Sequence, residues 1–288
     1  MVPGAYQCAP PMAERSLSAA PVPRPESEIV ARIASGGPAL VAMSGGVDSS
    51  VVAALAAEAL GAHALAVTLE GPAVARAEVD RARAVARAIG IEHAVLAVDP
   101  LERVEYRANP SNRCYFCRSV ETATLRDFGG RRGVEQYLDG VHVGDLAEDR
   151  PGLRAMDEAG FVHPLLWGGW TKSDVRRAAR ERGLPNWDQP SDACLSSRVA
   201  PGEPITIELL RRVEAAEAVL LERGFRRVRV RVAGRGARIE VGEEELERLR
   251  GSSLAEEIVA RVSALGFAPV TIDPRGYRGS LAEPAGPR

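Results

Sequence analysis

Five apolar residues, Ala39-Leu40-Val41-Ala42-Met43, run straight into Ser44-Gly45-Gly46-Val47-Asp48-Ser49-Ser50. A short continuous apolar run is the pattern of a strand buried on both faces, as in a parallel sheet. The glycines break it, and Ser49 to Leu60, rich in Ala, Val and Leu, reads as a helix. In such a strand–turn–helix, main-chain N–H groups turn inward on an anion and the helix N-terminus adds partial positive charge. The hydroxyls of Ser44, Ser49 and Ser50 can donate to phosphate oxygens. Asp48 cannot favourably face a bare phosphate, so it is expected beside Mg²⁺ or as a helix cap. No Gly-Lys-Ser/Thr and no G-x-G-x-x-G occurs, so this is neither a Walker A loop nor a dinucleotide fingerprint.

The flanking pattern sets the fold class. Ala62 to Leu69 reads as a second strand, Val74 to Ile89 as an amphipathic helix and Glu92 to Val98 as a third strand. Strands alternating with helices predict an α/β, Rossmann-like parallel sheet with helices on both faces. A loop is expected around Asn109 to Cys117, then a helix to about Phe128, a strand over Glu135 to Val143 and a helix over Ser173 to Arg182. Pro185 to Pro204 reads as irregular. From Ile205 the pattern changes to helix, strands at Arg226 to Val232 and Ala237 to Val241, helices to about Leu265 and a strand at Ala268 to Ile272. The expected organisation is a disordered leader (1–25), a nucleotide-binding domain (26–200), a small α/β C-terminal domain (201–275) and a tail (276–288). Pro201-Gly202-Glu203-Pro204 is the hinge candidate.

Bulk properties narrow the function. The 288 residues carry a net charge of -2, which gives no electrostatic reason to expect nucleic acid or an anionic membrane surface as partner. No apolar run approaches the roughly 20 residues of a membrane helix, and no secretory signal pattern is visible, so a cytoplasmic location is expected. Arginine supplies almost all positive charge; Lys172 is the sole lysine.

Four cysteines do not make a disulfide scaffold; in a cytosolic chain, clustered cysteines point to metal binding or catalysis. Cys114-Tyr115-Phe116-Cys117 is a C-x-x-C, Cys194 lies far downstream, and Cys8 falls in the leader. Three thiolates can hold three corners of a [4Fe–4S] cluster and leave one iron open. A structural or redox C-x-x-C with an unrelated Cys194 fits the spacing as well. A zinc site lacks an evident fourth ligand, because His142 and His163 have no characteristic spacing to the cysteines.

Ser44-Gly45-Gly46-Val47-Asp48-Ser49 resembles the SGGxDS signature of N-type PP-loop ATP pyrophosphatases. That resemblance implies ATP cleavage between the α and β phosphates, and adenine held near the ends of the first two strands, which makes Thr68 and Leu69 the adenine-side candidates. Within that superfamily, Arg113-Cys114-Tyr115-Phe116-Cys117-Arg118, Asp139-Gly140, Asp149-Arg150-Pro151-Gly152, Pro164-Leu165, Thr171-Lys172, Ala193-Cys194-Leu195-Ser196-Ser197-Arg198 and Ala237-Arg238-Ile239-Glu240 resemble the LarE-type sulfur transferases. These act in nickel-pincer nucleotide biosynthesis for lactate racemase. The likeness spans about Glu26 to Leu249.

The resemblance implies a pyridinium dicarboxylate mononucleotide as small-molecule substrate, ATP and Mg²⁺, a homo-oligomer, and functional roles for Cys194, Ser197, Arg198, Glu217, Arg229, Arg231 and Glu240. With Cys114, Cys117 and Cys194 all present, it favours a [4Fe–4S] cluster as sulfur carrier over a sacrificial Cys194. Where the family has Asp-Gly-Thr-Asn-x-x-Asp, this chain has Asp139-Gly140-Val141-His142-Val143-Gly144-Asp145, which changes the contacts at that strand end. Two readings compete. A tRNA-thiolating PP-loop enzyme should carry a basic RNA-binding appendage. A non-enzymatic cluster or nucleotide sensor would bind ATP without turnover.

Overall fold

The computed structural model describes residues 22–147, 151–190, 193–250 and 253–277. Most of the expected leader with Cys8, the Asp149-Arg150 and Ser191-Asp192 pairs, and residues 278–288 lie outside these. Helix α1 (Glu26–Ala34) precedes β1 (Ala39–Ala42), α2 (Val47–Leu60), β2 (Ala64–Glu70), α3 (Arg76–Ile89) and β3 (Glu92–Ala97). Then come α4 (Val104–Arg107), α5 (Arg113–Gly130), β4 (Gln136–Leu138), α6 (Pro151–Glu158), β5 (Phe161–Val162), α7 (Pro164–Trp167) and α8 (Lys172–Glu181).

The five strands form one parallel sheet in the order β3-β2-β1-β4-β5. Both faces are covered, which is why β1 reads as unbroken apolar sequence. Ala39 and Val41 pack under α1, α2, α3 and α8, and Leu40 packs on the other face with Leu125 of α5 and Met156 of α6. Successive strand residues point to opposite faces, so both must be apolar. Helix α2 is buried on most sides, as its Ala/Val-rich sequence requires. The chain leaves β1 toward β2 on one side and, after β3, crosses back to lay β4 on the other side of β1. The crevice at the carboxyl ends of these strands is where such a sheet receives ligands.

The second unit holds α9 (Ile207–Leu221), β6 (Val228–Ala233), β7 (Gly236–Val241), α10 (Leu246–Leu249), α11 (Ser253–Ala264) and β8 (Val270–Ile272). β6 and β7 form an antiparallel hairpin, and β8 adds parallel to β7. Val228, Val230 and Val232 turn inward onto α9 and α11. The same apolar cluster takes in Ala73, Leu101 and Tyr106, with Phe116 and Cys117 against it. Packing therefore runs continuously across residues 201–204.

Three expected features differ. The C-x-x-C lies in the first turn of α5, not in a loop, because Arg113 N–H already bonds Pro110 O and Tyr115 N–H bonds Asn112 O. The strand expected over Glu135 to Val143 is only Gln136–Leu138, since Asp139 turns the chain by accepting from Val141 N–H. Near the C-terminus, Tyr277 N–H bonds Val241 O at 2.7 Å, so the segment expected to begin the tail is docked at the end of β7.

Candidate functional site

The phosphate loop is braced from within. Gly45 has φ +81, and a Cβ there would meet Glu78 O at 2.8 Å and Ala82 N at 2.9 Å. Only glycine lets α3 come this close. Ser49 Oγ donates to Gly46 O (3.1 Å) and accepts from Ser44 N–H (3.2 Å). Ser50 is fully buried; its hydroxyl donates to Gly46 O (2.8 Å) and accepts from Asn186 Nδ2 (2.9 Å). Ser50 thus buttresses the loop and its hydroxyl does not face a phosphate, contrary to expectation. Asn186 also donates to Gly45 O at 2.8 Å. It lies in the stretch read as irregular, where nothing in the sequence singled it out.

Asp48 is not the helix cap: Gly46 occupies that position without a side-chain bond. The carboxylate instead takes both oxygens to Lys172 Nζ, at 2.7 and 2.6 Å. Thr171 fixes that lysine at the start of α8 through a reciprocal capping box with Asp174. His142 Nε2 stands 3.8 Å from Asp48, and its Nδ1 accepts from Gly144 N–H at 3.0 Å. The main-chain N–H of His142 bonds Asp145 at 3.0 Å. The carboxylate oxygens of Asp48, in the first turn after the loop, are the donor type a hard cation such as Mg²⁺ takes.

At the end of β4, Gly140 abuts Ser49 N, where a Cβ would lie 2.6 Å away. Asp139 Oδ1 bonds His163 Nδ1 at 2.7 Å, and His163 Nε2 bonds Asp157 at 2.8 Å. Asp139 Oδ2 is buried without a hydrogen-bond partner among the described residues. Burial alone would lower the His163 pKa, but the bonds and charges of Asp139 and Asp157 outweigh it and lift it to about 9. A raised pKa stabilises the fold fully below the free-histidine value of about 6.5, and that stability is lost as pH rises through about 9. The free energy of unfolding should therefore fall by about 2–3 kcal/mol from pH 6.5 to pH 9.5. His163→Gln should flatten that slope in urea titrations; an equal slope in both proteins removes the assignment.

Thr68 is buried, and its hydroxyl donates to Met43 O (2.6 Å) while His93 Nε2 lies 2.8 Å away. The Thr68 side chain is thus committed to the sheet. What Thr68 and Leu69 can offer a base is main chain and apolar surface.

The cysteines converge. Cys114 and Cys117 come from α5, and Cys194 precedes a 3-10 turn at Leu195–Arg198. None is in a disulfide. Burial raises the Cys117 thiol well above the ordinary range, and the charges of Glu121 and Cys194 add to it. Burial also raises Cys194, with Cys114 adding and Arg113 opposing. Each thiol thus feels another, although the C-x-x-C and Cys194 are far apart in the chain. Among the described residues no group of three or more His, Cys, Asp or Glu side chains is arranged to hold a metal ion. Cysteine thiolates are the soft donor type that an iron–sulfur cluster takes, one per corner.

A buried charge network continues from Cys194. Arg198 makes a two-pronged pair with Glu217 (2.7 and 3.0 Å) and donates to Ala193 O, Cys194 O and Ser197 Oγ. Glu217 also accepts from Val230 N–H. Arg231 bonds Glu240 at 3.0 Å and Ser197 O at 3.2 Å, and Arg238 joins Glu240. Arg229 lies 5.0 Å from the centre of the Tyr277 ring. Cys194, Ser197, Arg198, Glu217, Arg231 and Glu240 are thus one connected set, with Arg229 directly across from Glu240 in the β6–β7 register.

The two centres share a wall. Ala73 O accepts from Leu195 N–H at 2.9 Å, beside Cys194. Glu78 and Ala82, a few residues on, touch Gly45.

The asparagine synthase family profile matches residues 27–110, the span of the phosphate loop and first three strands. An uncharacterized protein of Synechocystis sp., slr1717, is 40% identical over 240 residues, 83% of this chain and 90% of that one. The pyridinium-3,5-bisthiocarboxylic acid mononucleotide synthase of Lactiplantibacillus plantarum is 33% identical over 241 residues, 83% of this chain and 86% of its own. The tRNA-specific 2-thiouridylase MnmA of Azorhizobium caulinodans is 34% identical, but the match covers 62% of this chain and 55% of that enzyme.

Proposed function

Because the chain belongs to the LarE-type family of the pyridinium-3,5-bisthiocarboxylic acid mononucleotide synthase, within the PP-loop ATP pyrophosphatases, we propose that it adenylates a carboxylate of a pyridinium dicarboxylate mononucleotide and converts it to a thiocarboxylate. The observation that carries this reading is the shared wall: residues 73–82 touch Gly45 on one side and the Cys194 turn on the other. An acyl group activated at the phosphate loop then lies next to a sulfur donor.

A free carboxylate resists nucleophiles because oxide is a hopeless leaving group. Its oxygen attacks the α-phosphorus of ATP, the bond to the bridging oxygen of the β-phosphate breaks, and pyrophosphate leaves. The loop amides and the α2 N-terminus stabilise the charge on that leaving group; Asp48 would hold a Mg²⁺ ion, which when bound supplies further charge neutralisation. Lys172 neutralises Asp48 until nucleotide arrives and can then turn to the phosphates as a point charge. A sulfur nucleophile next attacks the acyl carbon, the C–S bond forms, and AMP departs. Cys114, Cys117 and Cys194 would hold a [4Fe–4S] cluster, and that group, when bound, supplies the transferable sulfur. Arg231 would hold the substrate phosphate or carboxylates, with Glu240 fixing its fork; the buried Arg198–Glu217 pair would hold the Cys194 turn and Ser197 in place, and Arg229 would stand beside them.

In the competing route, the Cys194 thiolate attacks the acyl carbon of the adenylate, the C–O bond breaks and AMP leaves, giving a thioester. Loss of the Cα proton with cleavage of the Cβ–S bond then leaves dehydroalanine. A tRNA substrate is less well supported: the match to the thiouridylase covers 55% of that enzyme.

The test is anaerobic turnover with ATP and the pyridinium dicarboxylate mononucleotide, reading pyrophosphate, thiocarboxylate, protein mass, iron and acid-labile sulfide. Wild type should release pyrophosphate and form product with its mass intact, whereas Cys194→Ser should release pyrophosphate without sulfur transfer. Cys117→Ala should lose iron. A loss of about 34 Da per turnover, that of H₂S, assigns the sulfur to Cys194 instead. No pyrophosphate from wild type removes the reading altogether.

A further inference from the structure

We propose that Asn109 and Arg113 are positioning residues of the sulfur-donor site: together they clip the α5 cysteines to the Cys194 turn, so the three thiols stand together before any metal arrives. The inference rests on the reading that Cys114, Cys117 and Cys194 act as one donor site.

Asn109 is the only non-glycine residue with positive φ (52°) among the described residues, and it is almost completely buried. The left-handed region is uncommon for a residue with a Cβ, and asparagine tolerates it best. The conformation turns the carbonyl and both side-chain polar atoms of Asn109 to use. Its carbonyl accepts from Gly202 N–H (2.8 Å), and its Nδ2 donates to Ala200 O (2.8 Å) and reaches Val199 O (3.5 Å). Its Oδ1 accepts from Arg113 Nη1 at 2.6 Å. Arg113 Nη1 also donates to Ser196 O at 2.9 Å, in the turn that follows Cys194. Arg113 is the residue before Cys114, and its other fork nitrogen lies 3.9 Å from Cys114 Sγ.

Flanking contacts point the same way. The buried Tyr106 hydroxyl bonds Ser196 Oγ, and Arg107 O accepts from Ile205 N–H at 2.9 Å. Residues 106–113 therefore read residues 196–205 almost group by group. Nothing else in this run requires a fork or an amide: the turn at Leu195–Arg198 already has Ala73 and Glu217 as anchors. What Asn109 and Arg113 add is the register between the turn and the start of α5. Holding the thiols in place beforehand avoids ordering two segments when the cluster binds.

The experiment uses the metal-free full chain in a Cys8→Ser background, treated anaerobically with dibromobimane, which bridges two neighbouring thiols. Peptide mapping reads how much Cys194 is joined to Cys114 or Cys117. The parent should give the bridge in good yield. Arg113→Gln and Asn109→Gly should lower its rate of formation by roughly tenfold, because each leaves a buried partner unpaired. Arg113→Lys should keep more of it, since an ammonium can still donate to both Asn109 Oδ1 and Ser196 O. Asn109→Gly keeps the left-handed backbone without strain, so it isolates the side-chain bonds even if Arg113→Gln fails to fold. Iron bound after anaerobic reconstitution should fall in the same order.

Bridging rates within about twofold of the parent in both variants would overturn the proposal. A parent that bridges normally but takes up no iron would instead count against the cluster reading and leave the clip standing.

Discussion

Replacing Glu217 by alanine is expected to lower the free energy of unfolding by about 3–5 kcal/mol, the cost of stranding a buried charge. Arg198 is buried with both prongs on Glu217, and no solvent reaches in to replace the carboxylate. Val230 N–H loses its acceptor at the same time. Urea unfolding of Glu217→Ala against wild type measures the change, and a midpoint shift equivalent to under about 1 kcal/mol would contradict the account. A compensating pair, Arg198→Met with Glu217→Leu, should recover much of the stability, because apolar residues of similar volume replace buried ion pairs well. That double variant should still fail in sulfur transfer if the pair holds the Cys194 turn in place. Stability and activity would then be separated at the same two positions.

Gly140→Ala should slow pyrophosphate formation by about 10²-fold, the usual effect of misplacing a reacting group by an ångström. The added methyl would sit 2.6 Å from Ser49 N, 2.9 Å from Asp48 C and 3.0 Å from Asp48 Cβ. Two of those atoms are main chain in the first turn of α2 and cannot step aside. The loop must shift, and with it the amides that face the phosphates. Gly130→Ala is the control: no atom lies within 4 Å of its Cβ, and alanine favours the helix it ends. Steady-state pyrophosphate release on both variants decides the matter, and equal rates would show that β4 does not set the loop.

The sheet was legible because its signals are local. An apolar run, a glycine break and an Ala/Val helix fix β1, the loop and α2 within a few residues. The alternation of Val with Arg in β6 likewise gave the correct inward face. What escaped was set by contacts across the chain. The C-x-x-C looked like loop because Pro110 and Asn112 precede it, yet those residues start α5. Asp48 read as a cap or a metal ligand because its partner, Lys172, stands 124 residues away. Asn109 and Asn186 left no periodic trace, since a buried asparagine bonding to main chain can sit in any irregular stretch. One signal was available for Lys172: a chain that otherwise uses arginine keeps a lysine at the start of α8.

That lone lysine gives the protein an unusual handle. Apart from the α-amino group, amine-directed chemistry has a single target here, and it rests on the carboxylate beside the phosphate loop. Reductive methylation with carbon-13 would place one side-chain NMR signal at that spot. The ε-amine reports whichever anion it faces, so the resonance becomes a direct gauge of nucleotide occupancy, free of assignment.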